Sequence, residues 1–146
     1  MRKIFAILAF ITGILTFASC EDERQIKDTK LPSDARSFIS LYFPDLEIIY
    51  AEKDFDDRGR SYSVKLSDGT EIEFFESGEW ESVDCKFSSV PDGIVPVAIL
   101  DDIRQRLPQY RITKIEKETG GYELEVSGKT YIYDKNGVFV SESYSD

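Results

Sequence analysis

The chain has 146 residues, of which 18 are basic, 28 acidic and none histidine, for a formal net charge of −10. That length fits one domain or two small fused ones, and a hydrophobic share of 41% supplies a core and argues against global disorder. The acidic balance speaks against nucleic-acid binding, and the missing histidine excludes histidine general bases, histidine-containing triads and the common His-containing zinc sites.

Met1-Arg2-Lys3 forms a short positive start, followed by an apolar run of 14 residues from Ile4 to Phe17. The run is too short for a membrane span of about 20 residues and fits a secretory signal. It ends in Phe17-Ala18-Ser19-Cys20, which resembles the bacterial lipobox apart from Phe17 in place of the usual Leu. The resemblance implies a signal peptide over residues 1–19, lipidation at Cys20 and membrane attachment through that residue. Cleavage before Cys20 removes two basic residues and no acidic one, taking the charge from −10 to −12. Glu21-Asp22-Glu23 resembles the surface-export signal of Bacteroidetes lipoproteins. Residues 20–30 are polar and charged, and are expected to form a flexible acidic tether. The expected location is therefore the bacterial cell envelope: the outer membrane, on its periplasmic side or at the cell surface.

Next, Ala35, Phe38, Ile39 and Tyr42 form one apolar helical stripe. Ser33 or Asp34 can cap its start, and Pro44 forces its end. Asp54, Asp56 and Asp57 begin a loop that looks like a calcium-binding EF-hand. Arg58 and Lys65 stand at ligand positions five and twelve, so that motif is rejected and only a looser cation site is left. Tyr62, Val64 and Leu66 alternate with polar residues, as expected of a half-covered strand, and Ser67-Asp68-Gly69 is turn chemistry. Glu71/Glu73, and later Glu123/Glu125, are same-face carboxylate pairs on strands, without the cleft that glycosidase chemistry needs. Cys85 sits in an alternating segment and is expected as a buried small hydrophobe.

The same order then repeats. Ile99, Ile103 and Leu107, broadened by Leu100, form a second helical stripe between Pro96 and Pro108. Tyr122, Leu124 and Val126 alternate as Tyr62, Val64 and Leu66 do, and Asp134-Lys135-Asn136-Gly137 is a second hairpin signal. The offset between copies is 64 at the prolines, 60 at Tyr62/Tyr122 and 59 from the glycines onward, and the length changes fall in turns. The expected fold class is α+β: two tandem helix-plus-four-strand meander units, about 31–88 and 89–146, forming one antiparallel sheet with both helices packed on one face. Neither unit alone is large enough to bury much.

A helix stopped by proline, alternating strands around Gly turns, and a tandem copy behind a signal peptide resemble the PepSY-like family of small secreted proteins and the beta-lactamase-inhibitor-like architecture. The resemblance covers about residues 31–144 and implies a non-enzymatic binding or inhibitory module. By side-chain parity Phe75, Trp80 and Phe139 fall out of step with the core. Ringed by Lys65, Glu73, Glu123 and Glu125, they are the expected contacts for an envelope protein or peptide on the open sheet face. The alternative is a ligand or calcium sensor using Asp54, Asp56 and Asp57. No cofactor is expected.

Overall fold

Proline sets both helix boundaries in the computed structural model, which describes residues 24–57 and 59–144. Helix α1 spans Ser33–Tyr42 and helix α2 spans Val97–Arg106. Each is preceded by a proline in extended conformation, Pro32 (ψ 146°) and Pro96 (ψ 136°), which occupies the cap position itself. Ser33 and Asp34 therefore do not cap α1. The Ser33 hydroxyl points to the Asp34 carboxylate at 3.4 Å, and the helix start carries no side-chain cap. Each helix closes with a final turn, Phe43 N–H to Ile39 C=O and Leu107 N–H to Ile103 C=O, both 2.8 Å. Pro44 and Pro108 follow.

Eight strands form one antiparallel sheet in sequence order: β1 (Ile48–Asp56), β2 (Gly59–Leu66), β3 (Glu71–Phe75), β4 (Trp80–Asp84), β5 (Ile112–Glu118), β6 (Gly121–Val126), β7 (Lys129–Asp134) and β8 (Phe139–Tyr144). Helix α2 bridges β4 to β5. The cross-strand row Val64–Ile72–Val83–Ile115–Leu124–Tyr131 puts the apolar side chains of six strands on one face. All six are at most 2% exposed and belong to one core cluster with Ala35 and Ile39 of α1 and Ile99, Leu100 and Ile103 of α2. Phe38 of α1 meets Phe74 edge-on at 5.7 Å. Asp102 of α2 accepts a hydrogen bond from Tyr133 at 2.8 Å. Phe74 and Tyr133 lie on the same side as this row, hereafter the buried face.

The repeat is visible atom by atom. Glu47 and Ser67 exchange two hydrogen bonds, Ser67 N–H to Glu47 C=O (2.9 Å) and Glu47 N–H to Ser67 Oγ (3.1 Å). Arg111 and Ser127 make the same pair at 3.0 and 3.2 Å. Bulges fall at Ile48/Tyr50 and Ile112/Lys114, and again at Glu73/Phe74 and Ile132/Tyr133.

The expected signal peptide over residues 1–19, the lipidation site Cys20 and the acidic run Glu21–Glu23 lie outside the described residues. Residues 24–30, expected as part of a flexible tether, are instead fastened to the sheet. Ile26 N–H donates to Ala51 C=O (2.9 Å), Lys53 N–H donates to Arg24 C=O (2.8 Å), and Asp28–Lys30 forms a 3-10 turn. Charge alone does not keep a segment loose when a strand edge offers unpaired backbone groups.

One turn glycine lies against the start of each helix. Gly78 (φ +88°) would place a Cβ 2.8 Å from Pro32 Cβ, and Gly137 (φ +77°) would place one 2.9 Å from Ala98 Cβ. Gly78→Ala and Gly137→Ala should each cost about 2–4 kcal/mol, from left-handed backbone strain plus crowding of the helix start. Gly128→Ala, equally left-handed but with open space around it, should cost only about 1–2 kcal/mol. Urea titrations of the three variants test this. Equal losses would mean that helix contact contributes nothing at the turns.

Candidate partner-docking face

The side chains between the core positions point to the opposite, polar face. Pairing register arranges them in two rows across the sheet. One runs Glu52–Ser63–Glu73–Ser82–Glu116–Glu123–Ile132–Ser141. The other runs Tyr50–Lys65–Glu71–Asp84–Lys114–Glu125–Thr130–Ser143. Seven strand spacings make the face about 34 Å wide.

Charge is unevenly compensated along it. Glu71 is bracketed by Lys86 (3.0 Å) and Lys65 (3.4 Å), and the hydrogen bond from Lys86 is the main reason its carboxyl sits below the usual range. Lys114 bonds Glu116 at 2.8 Å. Burial alone would lower the Lys114 ammonium, but Glu116, Glu125 and Asp84 outweigh it and keep the lysine charged to higher pH than usual. The Tyr50 hydroxyl donates to Glu52 at 2.8 Å. The other row carries four glutamates and no lysine, and Glu116 stands directly opposite Glu123. A shallow depression of about 390 Å³ opens over Tyr50, Glu52, Ser63, Lys65, Glu71 and Glu73.

Five of the seven sequence-proposed contacts lie on this face. Lys65, Glu73 and Phe75 cluster on β2 and β3, with Phe75 37% exposed, while Glu123 and Glu125 lie three strands away on β6. Ser82, Asp84, Lys114 and Glu116 fill the gap between them. Sequence reasoning passed over these four, although Lys114 and Glu116 share the i, i+2 spacing that flagged Glu123 and Glu125.

Trp80 and Phe139 are on the buried face instead. Each sits at a bulge, so Trp80 pairs with Phe74 and Phe139 with Tyr133. On β4 the extra residue breaks the alternation counted back from Val83. On β8 the flanking Val138 and Val140, apolar but each 59% exposed, are not the core positions that would have put Phe139 outside. Trp80 packs at 6.5 Å from Phe38, with the Lys117 ammonium 4.3 Å over its ring. Phe139 meets Tyr133 at 5.9 Å, with the Arg106 guanidinium 3.8 Å over its ring. Arg106 also pairs with Asp102, and that bond, followed by the one from Tyr133, holds the Asp102 carboxyl below its usual range.

The acidic loop is less built. The Asp54 carboxylate accepts from the Phe55 N–H at 2.9 Å, Asp57 is exposed, and the Asp56 side chain lies outside the description. Among the described residues no group of three or more His, Cys, Asp or Glu is placed to hold a metal ion. Cys85 is 1% exposed, and burial pushes its thiol up.

A family model described as "putative beta-lactamase-inhibitor-like, PepSY-like" matches residues 60–141. Three solved structures share the fold. A Bacteroides vulgatus protein described as a putative periplasmic protein from the DUF2874 family is 31% identical, with a TM-score of 0.80 over 85% of this chain and 98% of that one. A second B. vulgatus protein, described as a putative periplasmic protein of unknown function, is 36% identical, with a TM-score of 0.78 over 82% and 97%. A Bacteroides thetaiotaomicron protein described as a putative calcium-regulated periplasmic protein is 31% identical, with a TM-score of 0.78 over 82% and 95%. No curated protein matches. The periplasmic descriptions support an exported location.

Facing glutamates cost stability. Glu123→Gln should stabilise the fold by about 0.2–1 kcal/mol at low salt, with the gain shrinking as salt rises. Thermal melts at two ionic strengths check it, and a loss of stability would mean that Glu123 is held by attraction rather than repelled by Glu116.

Proposed function

Because this chain belongs to the PepSY-like, beta-lactamase-inhibitor-like family, we propose that it is a non-enzymatic binding or inhibitory module of the bacterial cell envelope. In this reading both helices cover the buried face, and the polar face is left to an envelope protein or peptide. The observation that carries it is the glutamate row Glu52–Glu73–Glu116–Glu123, flanked by the exposed ring of Phe75. An aromatic anchor beside a row of carboxylates suits a partner presenting lysine or arginine, with charge steering the encounter and the ring supplying contact area. Trp80 and Phe139 drop out as contacts and act as internal packing. Lipidated Cys20 would tether the module to the membrane, with residues 1–19 removed. The family description and the absence of histidine from the sequence support a role without catalysis.

In cells, a photo-crosslinking residue at Phe75 or Glu123 should capture one discrete envelope protein, whereas the same residue at exposed Leu41 on α1 should not. Adding Glu73→Lys, Glu116→Lys and Glu123→Lys together should reduce capture at least about tenfold. Cys20→Ala should move the protein out of the membrane fraction. Capture from Leu41 alone, or capture indifferent to the three lysines, would contradict the docking face.

A second reading, calcium sensing through Asp54, Asp56 and Asp57, rests on the B. thetaiotaomicron neighbour being described as calcium-regulated. Calorimetry with millimolar calcium should then show heat that Asp54→Asn with Asp57→Asn abolishes. No heat and no melting shift would eliminate it.

A further inference from the structure

The seam between the two units shows what a free end of this sheet would accept. There β4 pairs with β5 through Ser82↔Glu116, Val83↔Ile115 and Asp84↔Lys114. At the repeat offsets, β8 is the second copy of β4 and β1 is the first copy of β5. The seam's counterparts at the ends are thus Ser141, Glu142 and Ser143 on β8, and Glu52, Ala51 and Tyr50 on β1. Repeating the seam between molecules would pair β8 of one chain with β1 of the next, a head-to-tail contact that builds rings or open chains.

We propose that both ends of the sheet are capped against this pairing with a second copy of the chain, β8 by Glu142 and β1 by residues 24–26. The two caps work differently. On β8 the position of fully buried Val83 is taken by Glu142, whose carboxylate projects on the buried-face side. Lys129 holds it at 3.2 Å, and that bond followed by one from Tyr131 keeps the carboxyl below its usual range. Repeating the seam would press this charge against Ala51, which is 3% exposed. An inward-pointing charge on an edge strand blocks such pairing. The flanking pairs offer no comparable obstacle, since Ser141 would face Glu52 as Ser82 faces Glu116.

On β1 the backbone is already engaged. Gln25 bridges Glu52 as Ser82 bridges Glu116, because Glu52 and Glu116 are equivalent positions. Ala51 C=O and Lys53 N–H are taken by Ile26 and Arg24. The segment stands in for a missing β4, and a second copy would have to displace it.

The test is the mass of the full chain in detergent, measured by light scattering over a concentration series. Glu142→Val alone should leave the wild-type mass unchanged, because β1 stays covered. Ile26→Pro, which removes the N–H donated to Ala51, combined with Glu142→Val should give masses of two chains and above. Cysteines at Ser141 and Glu52 in that double variant should cross-link between molecules, whereas cysteines at Ser141 and Ser63 should not. A folded double variant that keeps the wild-type mass overturns the proposal, as does assembly without the Ser141–Glu52 cross-link or assembly by Glu142→Val alone. If Ile26→Pro prevents folding, deletion of residues 21–26 replaces it, with the same outcomes.

Discussion

A unit of one helix and four short strands cannot bury its own apolar side chains, and everything else in this molecule follows from how that shortage is met. The solution is the contact of Val83 with Ile115, both fully buried, where β4 of the first unit meets β5 of the second. Around it Cys85 N–H donates to Thr113 C=O and Val90 N–H to Ile112 C=O, both at 2.8 Å. The seam makes two marginal halves into one eight-stranded sheet and gives one core cluster in place of two. It also places the glutamates of β3 and of β6 on one continuous surface.

Duplication fixed the backbone more firmly than the chemistry laid on it. Phe38, Phe74 and Trp80 form an aromatic group beside the first helix. Their counterparts in the second unit are Asp102, Tyr133 and Phe139, where a hydrogen bond and a stacked Arg106 do the same positional work. The buried face therefore tolerates either apolar or polar closure, provided each group finds a partner. The polar face diverged under a different constraint. It keeps like charges opposed at Glu116 and Glu123, an arrangement that weakens the fold and that a stability requirement alone would not favour.

Much of this was legible in the sequence because its signals are local. Pro44 and Pro108 stop helices for a steric reason that needs no tertiary context, and the alternation at Tyr62–Val64–Leu66 and Tyr122–Leu124–Val126 follows from the pleat. The shared offsets anticipated the equivalence of the Glu47/Ser67 and Arg111/Ser127 hydrogen bonds. Apart from the cap of α1, what failed depended on long-range contacts. The bulge opposite Phe74 moved Trp80 to the other face, and Val138 and Val140 are apolar yet exposed, which reverses the parity read for Phe139; no composition rule marks either. Pro32 displaced Ser33 and Asp34 as the cap. Residues 24–26 look like a loose polar linker until the open edge of β1 is known to lie beside them. Of the polar face, the glutamates on β3 and β6 were legible, while the bridging Ser82 and Lys114–Glu116 pair waited on the strand order.

The fold requires the seam to hold the two units as one cooperative body. Native-state hydrogen exchange of the Cys85 and Val90 amides, both donated across it, measures this directly. With the units joined in this way, these amides should exchange only through global unfolding, with the same opening free energy as the core amides of β2 and β6. Exchange at the seam by an opening well below the global value, with either unit still protected, would show two independently stable halves and contradict it.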